Sequence, residues 1–318
     1  MISFTDDIRY ILLSIVILLI AIFGVIMNSL SIFVVLKNPL LKSSFGILCF
    51  SHSVANIGVL SVFLVWVAPI TVIDDDHLWR TRFAKHLGQL NILFWDACVY
   101  SHLAISVNRF FTITFPHSQT LINSNATIIL ASLVWTCAIF HIIPYFWVDQ
   151  CFILYDPKTV TWNFADTKCG FYISTYFDYY TGCAVFIVIA ILDLFTLITL
   201  RIKNNHMHSL GTRAHQRRQV ELRFFIQACV QASLFFYELV NFYFVSTLNS
   251  SFFYVYFTST FAWEICHAMD GLVLFLFQYK AAFPKKARVT TTVTASIQSH
   301  HKSAASIVVN TGHRHDNA

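Results

Sequence analysis

Six carboxylic acids lie inside otherwise apolar stretches of this sequence and are the residues best suited to specific chemistry. They are Asp96, Asp178, Asp193, Glu238, Glu264 and Asp270. An ionisable group is costly within a membrane, so such groups face the interior of a helix bundle and are candidates for function by default. Polar clusters between helices are therefore the expected functional sites.

One polar cluster is predicted in the inner half of the bundle. Counting about 1.5 Å per residue along each helix places Asn28, Asn56 and Asp270 roughly 12 to 18 Å from the cytoplasmic ends. Nearer that end, the triplet Asn108-Arg109-Phe110 carries a permanent positive charge. Glu221 is the only carboxylate predicted on the same rim before the tail, which favours an Arg109–Glu221 ion pair. Contact of the arginine with lipid phosphate is the alternative.

A second polar set is predicted in the middle and outer half, where it would line a cavity that opens outward. Its members are Asn91, Trp95, Asp96, Glu238, Trp263, Glu264 and His267. An interhelical hydrogen bond is the competing interpretation for each residue alone. Asp96 and Glu264 have no basic residue of the spans near their predicted depth, so we expect them to be neutral or hydrogen-bonded and to recognise a cationic or hydrogen-bond-donating ligand.

Metal chemistry is a further interpretation, since His267 and Asp270 stand three residues apart on one helical face. A zinc site needs about three protein ligands at one depth. Depth counting places His52 and His102 toward the inside and His141 toward the outside, so the histidines are not expected to converge. No metal and no other cofactor is predicted.

The cysteines fall into two groups. Six lie within apolar spans and are interpreted as small buried hydrophobic residues: Cys49, Cys98, Cys137, Cys183, Cys229 and Cys266. Cys151 and Cys169 alone lie in a predicted outer loop, in an oxidising compartment. They are the candidate disulfide.

The composition indicates which elements must position these residues. Of the 318 residues, 57% are hydrophobic and only 12% are charged, whereas soluble domains carry about 25% charged residues. Seven apolar segments are each long enough to cross a hydrocarbon core of roughly 30 Å, at 11–36, 45–73, 86–113, 126–148, 171–200, 222–247 and 252–279. The sequence therefore predicts an all-α membrane protein built as a bundle of seven transmembrane helices.

The distribution of basic residues predicts the orientation. Six of the 21 lysines and arginines fall on the side of the N-terminus, and the rest fall on the opposite side. By the positive-inside rule, the short N-terminal segment 1–10 is outside and the tail 281–318 is cytoplasmic. The tail is predicted to be disordered. The net charge of +5 favours anionic lipid of the inner leaflet and gives no case for nucleic acid.

Several of these residues also carry a resemblance to the rhodopsin-like G-protein-coupled receptors. The matching features are Asn28 in GVIMNSL, Ala55-Asn56 where an aspartate is usual, Asn108-Arg109-Phe110 where Asp-Arg-Tyr is usual, Trp135 followed by Pro144, and Asp270. More narrowly, the sequence resembles the nematode serpentine receptors of class X, a chemoreceptor family. That likeness rests on KNPLLKSSFGILCFSHSVANIGVL, SVNRFFTITFP, FFIQACVQ, the stretch from Cys151 through Trp162 to Cys169-Gly170, and Asp270-Gly271.

The resemblance implies a rhodopsin-like receptor in the plasma membrane. In this family the expected location is the cilia of sensory neurons. Such a receptor binds an external small molecule and signals to a heterotrimeric G protein, which Arg109 would meet. Residues 84–90 contain no cysteine, so the Cys151–Cys169 bridge is the expected substitute for the usual receptor disulfide. The fifth and sixth spans contain no proline, and residues 270–274 lack the usual proline and tyrosine.

Two other classes of function are weaker alternatives. A seven-span ion channel of the insect odorant-receptor type has its N-terminus inside, against the charge distribution, and no inverted repeat suggests a transporter. An intramembrane metal hydrolase is the least favoured, because its ligands would have to converge. The sequence thus favours a receptor and not an enzyme.

Overall fold

Seven long helices form the protein in the computed structural model, which describes residues 4–38, 41–73, 75, 77–115, 123–206 and 212–282. They are α1 (Phe4–Lys37), α2 (Ser44–Val72), α3 (Arg82–Thr114), α4 (Ser124–His141), α5 (168–206), α6 (Thr212–Tyr243) and α7 (252–282). Each is long and apolar enough to cross a membrane, as predicted. Apart from the last two residues of α7, the predicted tail 281–318 lies outside the described residues.

The observed helix ends are set by capping residues and a proline, which the length and hydropathy of the predicted spans do not reveal. Helix α3 begins at Arg82 because the Thr81 hydroxyl accepts a hydrogen bond from the amide of Ala84. Helix α5 begins early for the same reason, with Thr167 as its cap. Helix α4 ends at His141, well before the predicted residue 148, because Pro144 follows and the chain tightens into a short 3₁₀ turn.

Helix α3 is the centre of the bundle. It packs against α2, α4, α5 and α6, while α7 packs against α1, α2 and α6. In the most apolar part of α2 and α3, 67% of residues are buried, against 22% in α1, α4 and α5. Helices α1, α4 and α5 therefore present most of their apolar side chains outward, as lipid-facing helices do.

Three helices are irregular near one end of the bundle. Helix α2 widens into a π-helical turn at Phe63–Val67, just before Pro69, and α5 contains a longer π-helical segment at Ile173–Tyr180. Helix α7 is interrupted at Ser259, between Phe252–Thr258 and Thr260–Ala282. Because π segments are found preferentially at functional sites, this end of the bundle is a candidate for the functional site.

A β-hairpin lies between α4 and α5. Strands β1 (Ile153–Asp156) and β2 (Thr161–Phe164) are antiparallel, with Tyr155 opposite Trp162. Val160, in the turn between them, has a φ of 56°, a strained value for a β-branched residue. Its carbonyl oxygen accepts a 2.6 Å hydrogen bond from the Thr260 hydroxyl of α7, so the turn is fixed to the interrupted helix.

Candidate functional site

A triad of buried polar residues occupies the middle of the bundle. The Oδ2 atom of Asp270 on α7 lies 2.8 Å from Nε2 of His52 on α2 and 3.6 Å from Nε2 of His102 on α3. All three side chains are buried. The expectation that the histidines do not converge was wrong for this pair, because depth counting gives the height of a residue but not the rotation of its helix.

Asn28 and Asn56, the other predicted members of the inner cluster, meet α7 one turn earlier. The amide nitrogen of Asn28 donates to the carbonyl oxygen of His267 at 3.1 Å, and Oδ1 of Asn56 lies 2.6 Å from Nδ1 of the same histidine. Their partner is thus His267, and Asp270 bonds to histidines instead. Gly271 permits this approach, since a Cβ there would lie 2.6 Å from the Asn28 side chain.

A small cavity lies above this layer. It is lined by three of the predicted residues, Trp95, Glu238 and Trp263, together with Ile92, Ile153, Asp178, Leu239, Phe242 and Tyr243. Its volume is about 10 Å³, which is room for about one water molecule. The indole nitrogen of Trp95 donates to Glu238 at 2.6 Å, and the Tyr243 hydroxyl donates to Asp178.

Four predicted cavity residues lie elsewhere: Asn91, Asp96, Glu264 and His267. Asp96 lies 3.2 Å from Nδ1 of His141 on α4, and that nitrogen is also 2.8 Å from the Tyr100 hydroxyl. The expectation that Asp96 lacks a basic neighbour was therefore wrong. Glu264 is fully buried, and no side chain among the described residues hydrogen-bonds either of its carboxyl oxygens. Asn91 is also fully buried.

A larger outer cavity of about 550 Å³ lies between the hairpin and the ends of α6 and α7. Its lining residues are Lys158, Thr159, Thr161, Trp162, Asn163, Phe164, Phe242, Tyr243, Ser246, Ser250, Phe252, Val255 and Ser259. Phe242 and Tyr243 line both cavities. The ring centroids of Trp162 and Trp263 are 5.6 Å apart, and those of Phe242 and Trp263 are 5.8 Å apart. These aromatic rings form the wall between the two cavities.

Polar contacts continue inward from the small cavity. Glu238, which holds Trp95, lies 3.9 Å from Nε2 of His267, and His267 bonds to Asn56. Farther in, Gln231 donates to the carbonyl of Asp270 at 3.4 Å. A run of glutamine contacts then joins Gln231 to Gln227 and Gln227 to Gln278.

Arg109 lies at the inner end of this polar path. Its side chain is buried, with the guanidinium carbon 3.5 Å from the ring centroid of Phe45 and 4.8 Å from that of Phe224. Its Nε and Nη2 atoms have no hydrogen-bond partner among the described residues. Cation–π contacts with these two rings therefore supply part of the compensation for burying the charge.

The other predicted residues of this rim surround Arg109. Asn108 is buried beside it, and Phe110 is half-buried. Glu221 is half-buried on α6, three residues before Phe224. The Arg109–Glu221 ion pair stays a prediction.

Cys151 and Cys169 are joined in a disulfide, with their Cα atoms 5.1 Å apart. The bond ties the start of the hairpin segment to the first turn of α5. Of the six cysteines expected to be buried, Cys49, Cys98 and Cys266 are buried, Cys183 and Cys229 are half-buried, and Cys137 is exposed on α4. The expectation for Cys137 was wrong because α4 is a peripheral helix that turns this residue outward.

Signals for the missed residues were present in the sequence. His52 lies four residues before Asn56, and both therefore lie on one face of α2. The runs ILY and VTWNF on either side of Asp156-Pro157 have the composition of two strands and a turn. Nothing in the sequence fixes which helix faces Asp178.

A seven-helix bundle with a central third helix, a buried polar core and a covering hairpin is the architecture of a seven-transmembrane receptor. The family model for the serpentine type 7TM GPCR chemoreceptor Srx matches residues 18–278, and the chain belongs to this family. It is thus a G-protein-coupled chemosensory receptor and a multi-pass membrane protein, not an enzyme, which confirms the family and class inferred from the sequence.

Two similar proteins illustrate the relationship. Serpentine receptor class X 45 of Caenorhabditis elegans is 24% identical over 272 residues, covering 80% of this chain and 75% of that protein. The crystal structure of squid rhodopsin matches with a TM-score of 0.66 at 14% identity, covering 87% of this chain and 83% of that one. The second likeness confirms the rhodopsin-like fold.

Proposed function

We propose that this receptor binds a small molecule from outside the cell between its hairpin and its outer helix ends, and that it signals to a heterotrimeric G protein. The receptor would act in the plasma membrane, with the cilia of sensory neurons as the site suggested by its family. Support for this proposal comes mainly from one observation, the hydrogen bond between Trp95 and Glu238 at the inner cavity. Both residues line the small cavity, and Glu238 begins the inward polar path, 3.9 Å from His267.

The outer cavity is the proposed entry site. At about 550 Å³ it lies within the range of about 300–1,000 Å³ usual for small-molecule sites. It offers aromatic surface from Trp162 and Phe242, hydroxyl groups, and one cation, Lys158. A ligand with an apolar body and a hydrogen-bonding edge suits this lining.

Activation would couple the two cavities through their shared aromatic wall. A ligand that displaces Trp162 from Trp263 would enlarge the small cavity and reach Glu238 and Asp178. The change requires that the ligand bind the open arrangement better than the closed one. Movement of α6 relative to α3 would then disturb the stacking of Arg109 on Phe224 and open a G-protein surface.

Ligand recognition is therefore reassigned from the positions that the sequence favoured. Glu238 and Asp178 line the small cavity, whereas Asp96 is paired with His141 and Glu264 lies outside the cavity lining. We expect the first pair, and not the second, to contact an agonist.

The test is a calcium or cyclic-nucleotide readout in cells that express the receptor, exposed to a panel of volatile and water-soluble metabolites. Once an agonist is found, Glu238→Gln and Asp178→Asn should each shift its dose-response curve about 5-fold or more, because leaving a buried polar group without its hydrogen-bond partner costs about 1–3 kcal/mol. Asp96→Asn and Glu264→Gln are the matched controls. The reverse ranking at equal surface expression would return recognition to Asp96 and Glu264.

A further inference from the structure

We propose that His52, His102 and Asp270 form a binding site for a transition-metal dication, best matched by Zn²⁺, in the middle of the bundle. Two imidazoles and one carboxylate are a common protein donor set for zinc, with further positions open to water. The three residues come from α2, α3 and α7 and are all buried. Their ligand atoms lie within 4.8 Å of one another.

The spacing of the donor atoms suits such an ion. A tetrahedral zinc ion with ligands at about 2.0–2.1 Å holds its ligand atoms about 3.3 Å apart. Oδ2 of Asp270 lies 2.8 Å from Nε2 of His52 and 3.6 Å from Nε2 of His102, values on either side of that separation. Small side-chain rotations would therefore make room for the ion without moving a helix.

One buried carboxylate oxygen at the same place supports an ion there. Oδ1 of Asp270 has no hydrogen-bond partner in the described part of the chain, although the residue is only 1% exposed. Buried polar atoms of this kind are usually satisfied by protein, water or an ion. A dication would satisfy the carboxylate and replace the proton that one histidine must otherwise supply.

The position of the site would let a bound metal ion link three helices. A bound ion would join α2, α3 and α7 one turn from His267, where Asn28 and Asn56 also meet α7. Gln231 of α6 holds the backbone carbonyl of Asp270 and so positions this part of α7. We therefore expect metal to stabilise the arrangement of these three helices and to raise the melting temperature.

Direct binding to the full-length receptor tests the proposal. Receptor purified in lipid nanodiscs through a histidine-free tag, and stripped with a chelator, is titrated with Zn²⁺ against a competing indicator dye. We expect about one tight equivalent that is lost, or weakened at least about 100-fold, in His52→Gln, His102→Gln and Asp270→Asn. His141→Gln removes a buried histidine outside the triad and should bind as the unaltered receptor does.

Four histidines near the C-terminus, His300, His301, His313 and His315, remain in every variant. Any zinc that they bind is therefore the same in the unaltered receptor and in the triad variants. Equal tight binding by the unaltered receptor and the triad variants would overturn the proposal and leave the triad as a hydrogen-bonded network. An equal loss in His141→Gln would overturn it as well.

A variant that replaces one metal-binding side chain with another provides a test that does not depend on the folding of the glutamine variants. His52→Cys supplies a thiolate, and cobalt bound there should show intense visible bands of tetrahedral geometry and a near-ultraviolet thiolate charge-transfer band that the unaltered receptor lacks. The absence of that band in folded His52→Cys, judged by its elution as a monodisperse receptor, would reject the site even if the glutamine variants do not fold.

Discussion

At the scale of single residues, the buried charge of Arg109 is enclosed by aromatic rings. Burial of an always-charged group is costly unless it is paired, and contacts with Phe45 and Phe224 supply part of the compensation. Phe224 belongs to α6, so an outward movement of α6 would remove one side of this enclosure. The arginine is thereby coupled to the position of α6.

The first prediction concerns the proposed pair of Arg109 and Glu221. A partly exposed ion pair contributes about 0.2–1 kcal/mol, so Glu221→Gln should raise basal signalling by up to about five-fold. Arg109→Ala should abolish signalling, since the arginine would also meet the G protein. Basal and agonist-driven second-messenger levels, corrected for surface expression, are the measurement.

Charge reversal provides the control for this pair. The double variant Arg109→Glu, Glu221→Arg should restore quiet basal activity without restoring agonist output. If Glu221→Gln leaves basal signalling unchanged in a receptor shown to couple, the ion pair is not formed and the aromatic contacts alone hold Arg109.

For individual residues, the sequence predicted the depth along each helix but not the neighbouring side chains. Depth placed Trp95, Glu238 and Trp263 near one cavity, and all three line it. Rotation decides the neighbours, and it turned Asp96 toward His141 and brought His52 and His102 to Asp270. Rotation depends on packing between helices, which a single sequence does not state.

At the scale of elements, the hairpin is held against α3 by close backbone approach. A Cβ on Gly88 would lie 2.0 Å from the carbonyl oxygen of Ile153 in β1, so any larger residue must displace the strand. Tyr155 of the same strand bonds to the Thr71 hydroxyl of α2 at 2.9 Å. Burial raises the pKa of this tyrosine well above its usual range.

The second prediction is that Gly88→Ala destabilises the receptor. Overpacking of this kind costs about 1–3 kcal/mol, against a gain of about 1 kcal/mol in helix propensity. A lower melting temperature of the purified receptor and reduced surface expression should result. Gly182→Ala is the matched control, because its nearest neighbour is the flexible end of Leu239 at 3.3 Å. Equal melting temperatures for the two variants would contradict the close approach.

The third prediction concerns the Cys151–Cys169 disulfide. It closes a loop with a sequence separation of 18 residues, for which chain entropy gives about 3 kcal/mol of stabilisation. The double variant Cys151→Ser, Cys169→Ser should therefore melt earlier and bind agonist more weakly, because Trp162 loses its anchoring. Cys137→Ser, at an exposed cysteine, should do neither. Non-reducing peptide mapping of the unaltered receptor that finds both thiols free would remove the bridge.

The helices could be predicted from the sequence because length and hydropathy follow from the membrane itself. The irregular parts could not, because their causes are local or tertiary. The π segment Ile173–Tyr180 contains no proline or glycine to signal it. The break at Ser259 coincides with the bond from Thr260 to the strained turn at Val160, a contact between distant parts of the chain.

At the scale of the whole molecule, two independent features favour the same orientation. The basic residues of the sequence lie mostly on the side away from the N-terminus, which the positive-inside rule assigns to the cytoplasm. The disulfide and the hairpin lie between α4 and α5, on the side that an N-terminus outside the cell makes extracellular. Disulfides persist in that oxidising compartment, so the covalent chemistry agrees with the charges.

The last prediction is that the N-terminus and hairpin are outside and the C-terminus is cytoplasmic. An N-terminal tag should be stained in intact cells and a C-terminal tag only after permeabilisation. As an internal check, Pro157→Asn completes an Asn-X-Thr sequon with Lys158 and Thr159 in the hairpin turn, and it should add a glycan that a glycosidase removes. The double variant Pro157→Asn, Thr159→Ala lacks the sequon and should remain bare. A C-terminal tag visible in intact cells would reverse the orientation, and the surface near Arg109 would then lie outside, where no G protein can reach it.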